Sequence, residues 1–181
     1  NTTYSVLYFT GTSGSWSAAQ TVNDTAYYAG IGGTLPDITV NSANLPVCVY
    51  KDNIGLKFNT RSGGTWANEE TITTAVTTST TSGAGLSAKI VVDSADNFHV
   101  VWSEDIGSYI GIKYRKRVSG VWGTEQTVVS STLDDYTEPL LGIDTSDTVY
   151  VTYQFTAGLP NPPDEVVRYK PIVSQVVGAE T

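Results

Sequence analysis

Methionine is absent from the 181 residues, and cysteine and histidine occur once each, as Cys48 and His99. Ten basic residues stand against eighteen acidic ones, a net charge of −8. Each shortage excludes something. A single cysteine forms no intrachain disulfide, and its place in the apolar run "LPVCVY" marks it as a buried, inert thiol. A Cys–His pair would have to come from Cys48 and His99, and nothing in the sequence places them together. The shortage of basic residues argues against binding phosphate backbones or anionic lipid, which need basic patches. No run approaches the roughly 20 apolar residues of a membrane span, and no signal peptide is expected in these residues. The missing methionine and the start at Asn1 point to a processed product or a piece of a longer protein. Helical periodicity is missing as well, so almost no helix is expected.

What the chain does have is Thr, Ser, Gly, Val and Tyr, a strand composition. It also repeats. Four stretches align on one corner: "SVLYFTGTSGSWSAAQTV", "IGLKFNTRSGGTWANEETI", "IGIKYRKRVSGVWGTEQTV" and "EVVRYKPIVSQVVGAET". Trp16, Trp66 and Trp122 fill the corner, Val177 replaces them in the last copy, and the steps are 50, 56 and 55 residues. Tyr8, Phe58, Tyr114 and Tyr169 each lie eight residues before it. A second unit alternates with the first: "PDITVNSANLPVCVY", "AKIVVDSADNFHVVW" and "PLLGIDTSDTVYVTY". Its apolar alternation around "NSAN", "DSAD" and "DTSD" reads as strand, tight polar turn, strand.

Each period therefore holds four short strands, here termed A and B, joined by the Asx-rich turn, and C and D, joined by the Trp corner. Four-stranded antiparallel units at about 50 residues predict the blades of an all-β propeller. The expected organisation is one domain over 1–181, with a half blade at 1–32 and repeats at 33–84, 85–136 and 137–181. About three and a half blades result, a partial propeller or one completed by oligomerisation, because rings typically close with four to eight. Both ends finish on a C–D unit, so two chains joined head to tail set C–D against C–D. A homo-oligomer or larger assembly that supplies partner strands is expected, since bare strand edges invite association.

The pattern "P-x-x-x-V-D-x-x-D-N-x-H-V-V-W" followed by "I-x-Y-x-x-x-x-x-G-x-W-x-x-x-x-T-V" resembles the blades of sialidase-like propellers and related propeller lectins. The corner resembles that group's Asp box, S-x-D-x-G-x-T-W. On "NTRSGGTW", Gly63, Thr65 and Trp66 match, while Arg61 stands in the Asp place and Asn59 in the Ser place. The resemblance implies a propeller fold. For an active sialidase it would also imply an arginine cluster, a Tyr–Glu pair and an Asp. The chain has only four arginines, and Arg61, Arg115, Arg117 and Arg168 all fall in or near C strands, where cross-strand or surface roles are expected.

Propellers usually bind ligands on the face that carries the D–A and B–C loops. There the sequence places Tyr27, Tyr28, Tyr109 and Tyr136 with Asp52, Glu104, Asp105, Asp134 and Asp135. Aromatic faces beside carboxylates suit sugars: rings stack on the apolar face and carboxylates accept hydroxyl hydrogen bonds. These nine are the candidate ligand-binding residues, and Trp16, Trp66 and Trp122 are the candidate structural corner. Adjacent acids such as Glu104–Asp105 and Asp134–Asp135 could also serve glycoside hydrolysis. "DSAD" and "DTSD" are oxygen-rich but lack calcium-loop spacing, so they are read as capped turns. No catalytic residue, metal or cofactor is assigned. Asn1 and Asn23 open N-glycosylation sequons, and the Thr/Ser-rich segment 73–85 is a candidate mobile or O-glycosylated loop. The expected function is a non-catalytic extracellular, cell-surface or virion module that binds glycan or builds an assembly, with a fragment of a sialidase-like glycoside hydrolase as the alternative. No nucleic-acid partner and no membrane insertion are expected.

Overall fold

The computed structural model describes residues 3–23, 27–28, 36–52, 54–66, 68–75, 87–156 and 166–172. All regular structure among them is β-strand, and every pairing is antiparallel.

Blade 1 runs A (Asp37–Val40), B (Pro46–Lys51), C (Leu56–Ser62) and D, the last split into Thr65–Trp66 and Glu70–Thr73. Blade 2 repeats the order with Ala88–Val92, Phe98–Asp105, Ile110–Val118, and Val121–Trp122 with Gln126–Val129. Blade 3 comprises Asp135–Ile143, Val149–Thr156 and Val166–Ile172. Ahead of them, the described residues form a C–D hairpin. Leu7–Tyr8 pairs with Gln20–Thr21, Gly11–Thr12 with Ser15–Trp16, and Thr3–Tyr4 with Tyr27–Tyr28. The architecture is a partial β-propeller.

Local chemistry sets the turns. In two of the corners the central pairs Gly63–Gly64 and Ser119–Gly120 all have positive φ, the backbone of the tight hairpin turn that matches strand twist. At the A–B turns one oxygen of the leading Asx side chain accepts two backbone N–H groups. Asn41 Oδ1 takes those of Ala43 and Leu45, Asp93 Oδ1 those of Ala95 and Asn97, and Asp144 Oδ1 those of Ser146 and Thr148. Where strand C begins, the D strand bulges toward it. A Cβ on Gly55 would lie 2.1 Å from the Thr73 carbonyl oxygen, so only glycine fits.

Side chains alternate between the two faces of each sheet, and the sheets stack through them. Val47, Val49, Leu56, Phe58 and Ile72 of blade 1 meet Ile90, Phe98, Val100 and Trp102 of blade 2. Val101, Ile112, Tyr114 and Val128 of blade 2 meet Val151 and Tyr153 of blade 3. Val6 and Val22 of the half blade meet Cys48, Tyr50 and Trp66 of blade 1. Burial pushes the Cys48 thiol up to about 12, which makes it a packing residue.

Two of the corner tryptophans face the preceding sheet. Trp66 meets Tyr8 edge to face at 5.3 Å, and Trp122 meets Phe58 at 5.4 Å. Trp16 corrects the expectation of one role for all three: it is 74% exposed against 8% for Trp66, because no described sheet precedes the half blade. The arginines also act between blades. Arg61 Nε donates to Gln20 of the half blade, and Arg117 grips Glu70 of blade 1 at 2.9 and 2.5 Å while lying over Phe58. Arg115 donates to the carbonyl of Ile72. Arg168 has a backbone in strand C of blade 3.

Candidate functional site

The face expected to bind ligand carries the B–C turns and the starts of the A strands. Several candidates thought to sit in loops lie in strands instead. Tyr27 and Tyr28 pair with Thr3–Tyr4, Glu104 and Asp105 end strand B of blade 2, and Asp135 and Tyr136 begin strand A of blade 3. The ladders run past the apolar alternation because the backbone goes on pairing where side chains turn polar. Asp52, Tyr109 and Asp134 lie outside strands.

Asp52 is buried. Its Oδ1 accepts the N–H groups of Ile54 and Gly55 at 2.7 and 2.8 Å, which shapes the B–C turn. Its Oδ2 lies 3.6 Å from Lys57 Nζ, which is also 3.4 Å from Glu69 and donates to Thr71 Oγ1. The Tyr50 hydroxyl donates to Glu69. Blade 2 repeats this set with Lys113 between Glu104 and Glu125, at 3.9 and 3.4 Å, and with Thr127 as acceptor. Two lysines at the same strand position, each held between two acids, are a built feature of the repeat. Trp102 Nε1 donates to Glu104 at 2.9 Å. Burial, helped by the charge of Glu125, raises the Glu104 carboxyl against the opposing pull of Trp102 and Lys113. Burial likewise lowers Lys51.

The other candidates with described side chains lie in blades 2 and 3 and the turns that adjoin them. The Ile110 N–H donates to Asp135 Oδ1 at 2.8 Å, tying the start of one C strand to the next A strand. Asp105 Oδ1 accepts the Gly107 N–H, and Asp134 accepts the Ser131 hydroxyl. The Tyr136 ring packs on Tyr153 and Phe155 at 5.7 and 5.5 Å, inside the core between the blades. Tyr109 is half-buried, and its carbonyl accepts the Ile106 N–H. The side chains of Tyr27 and Tyr28 lie outside the described residues. The contacts described for these acids and rings serve turns, ion pairs and core. Most of segment 73–85 also lies outside the described residues. Asn23 is buried, and its carboxamide oxygen accepts the Val6 N–H, so this sequon asparagine is occupied with structure.

A second feature was not singled out in the sequence. Between the half blade and blade 1 opens an apolar cleft of about 240 Å³, lined by Tyr8, Phe9, Val22, Ile38, Cys48 and Trp66 among others. Beside it run Ile38 and Val40, strand-A residues that face away from blade 2. Ile38 is 51% exposed, whereas Ile90, at the same place in blade 2, is 4% exposed beneath blade 1. Leu7, Phe9 and Trp16 extend the bare apolar surface onto the half blade.

The A–B turns carry a third feature, a latch from blade to blade. Ser42 donates its N–H and hydroxyl to the two oxygens of Asp96, at 2.8 and 2.5 Å. Ser94 does the same to Asp147, at 2.9 and 2.5 Å. These bonds lower the Asp96 carboxyl. Asp96, Asp147 and their counterpart Asn44 share a left-handed backbone, with φ of 58°, 62° and 60°. The signal was present in the aligned turns, as Ser42, Ser94 and Thr145 in one column and Asn44, Asp96 and Asp147 in another.

No protein-family model matches the chain, and no curated protein matches it. Among solved structures it is similar to a thermostable family-43 glycoside hydrolase, at 16% sequence identity and a TM-score of 0.45. That match covers 72% of this chain and 45% of the hydrolase, so the chain spans less than half of that structure's length.

Proposed function

We propose that this chain is a non-catalytic propeller module that works as part of a larger assembly, displayed outside the cell or on a virion surface, with its N-terminal blade as the joining element. One comparison carries the reading. The positions that seal the internal blade interfaces, such as Ile90 and Trp66, are buried, and the same positions at the open end, Ile38 and Trp16, are exposed. Exposed apolar side chains grouped on the half blade and strand A of blade 1, Leu7, Phe9, Trp16, Ile38 and Val40, suit an interaction surface. The candidate carboxylates support a structural role for the opposite loops, since Asp52 and Glu104 hold lysines and Asp135 caps a strand. Light scattering tests the reading. The chain should run above 19.3 kDa, and Leu7→Ser with Trp16→Ser should return it to one chain. A cooperative monomer at about 100 μM, well above the micromolar range of specific contacts, would refute it.

Glycan binding or hydrolysis is the second reading, favoured by one observation: Glu104 is a buried acid near the end of strand B on the loop face, where burial raises its carboxyl in the direction a glycosidase acid needs. A panel of fluorogenic glycosides and a glycan array test it together. Turnover lost in Glu104→Gln would establish a hydrolase. Binding without turnover, lost in Tyr109→Ala, would establish a lectin.

A further inference from the structure

Three features of the open end converge on one occupant: the apolar cleft, the exposed strand-A residues Ile38 and Val40, and the Asn44 turn. We infer that the cleft beside Ile38 and Val40 receives a β-hairpin of the chain's own A–B type, and that Asn44 is its latch. This deepens the assembly reading and rests on it.

The internal interfaces serve as templates. What covers Ile90 in blade 2 is the A–B hairpin of blade 1, whose Val47 and Val49 face it. What bonds Asp96 is the Ser42 of that same hairpin, and what bonds Asp147 is the Ser94 of the next. Blade 1 presents the same receiving face: Ile38 and Val40 in the sheet, Asn44 at the turn with the same left-handed backbone. Among the described residues nothing bonds the Asn44 carboxamide. The half blade already occupies the outer half of the position before blade 1, through strands C and D. The room left is on the inner side, where a blade keeps A and B. The fitting ligand is therefore a two-stranded hairpin with alternating apolar residues and a Ser or Thr second in its turn.

The asparagine predicts the direction of a substitution. A carboxamide accepts through one oxygen, where Asp96 and Asp147 use two charged ones. Replacing Asn44 with aspartate copies the internal latch, on a backbone that aspartate already adopts twice in this chain.

The probe is a fluorescein-labelled peptide with the sequence of residues 36–52 and Cys48→Ser, titrated into the full chain and followed by anisotropy. Saturable binding is expected. Ser42→Ala in the peptide should weaken it about fivefold, the worth of one lost hydrogen bond. Asn44→Asp in the chain should strengthen it about tenfold, as a charge-assisted pair would. The peptide arm needs no change in the protein, so a variant that fails to fold leaves it intact. No saturation at about millimolar peptide, the weakest range of specific binding, or binding indifferent to both substitutions, overturns the inference. A chain that assembles without peptide binding or competition overturns the hairpin and leaves the assembly reading standing. A monomeric chain without peptide binding overturns both.

Discussion

Replacing Asp93 with asparagine should isolate one buried charge, because blade 1 already shows what the neutral version looks like. Asp93 is buried, and its Oδ1 caps the turn just as Asn41 Oδ1 does one blade earlier. Its Oδ2 has further work, accepting from Asn97 Nδ2 at 2.9 Å and lying 3.2 Å from His99 Nε2 and 3.1 Å from Lys116 Nζ. His99 Nδ1 in turn lies 2.7 Å from the Tyr114 hydroxyl. A neutral imidazole with its proton on Nε2 satisfies both ends. Burial pushes the Asp93 carboxyl up, but the bonds from Asn97, His99 and Lys116 outweigh it and hold the group well below the usual carboxylate range. Burial lowers His99, against the opposing bond to Asp93, so the ring stays neutral near pH 7.

In Asp93→Asn the cap survives, while Lys116 and His99 lose their acceptor. Breaking a buried pair on one side costs about 3 kcal/mol, which for a domain of this size lowers Tm by roughly 6–12 °C. At the same three places blade 1 carries Asn41, Val47 and Thr60. The triple change Asp93→Asn, His99→Val and Lys116→Thr should therefore recover most of the loss, leaving about 1 kcal/mol. The pH dependence follows from the two directions. Each group binds its proton less readily when folded, so stability is lost as pH falls, for His99 from about 6.5 downward and for Asp93 below about 4. His99 is the only histidine, so His99→Val should flatten the pH 5–7 limb of a Tm series. Calorimetry on the four proteins decides. An unchanged Tm in Asp93→Asn, or a pH 5–7 slope indifferent to His99→Val, would refute the reasoning.

Other outcomes follow from single contacts. Gly55→Ala should lower stability by more than about 3 kcal/mol, because its Cβ meets the backbone oxygen of Thr73, while Gly111→Ala, 3.1 Å from Val129 O, should cost less; urea unfolding ranks them. Glu70→Gln should cost about 1–2 kcal/mol, losing the Arg117 pair while Trp122 Nε1 keeps an acceptor, and high salt should shrink the difference. Cys48 should resist a thiol reagent at pH 8 until the chain unfolds, then react with the unfolding rate.

The repeat was legible because blade geometry constrains it tightly: left-handed corners need glycine, Asx turns need a short acceptor, and blade cores need alternation. The sites were less legible. Glu104, Asp105 and Asp135 looked like loop acids because polar side chains end an apolar pattern before the backbone ladder ends. Asp52 and Glu104 looked free because the lysines that hold them, Lys57 and Lys113, lie across a turn from them. Trp16 matched Trp66 in sequence and differs in burial, since the difference lies in the neighbour and not in the residue. The Ser-to-Asp latch was written in the aligned turns, but a hydrogen bond between successive blades shows only when the blades are stacked.

Hydroxyl-radical footprinting across a concentration series tests the joining role of the open end most directly. In dilute chain Trp16 and Ile38 should be oxidised readily while Trp66 and Ile90 are protected. As assembly proceeds, protection should spread to Trp16 and Ile38 and leave the loop residue Tyr109 unchanged. Oxidation of Trp16 and Ile38 that stays constant from dilute chain to the highest concentration, or protection that appears first at Tyr109, would contradict the account.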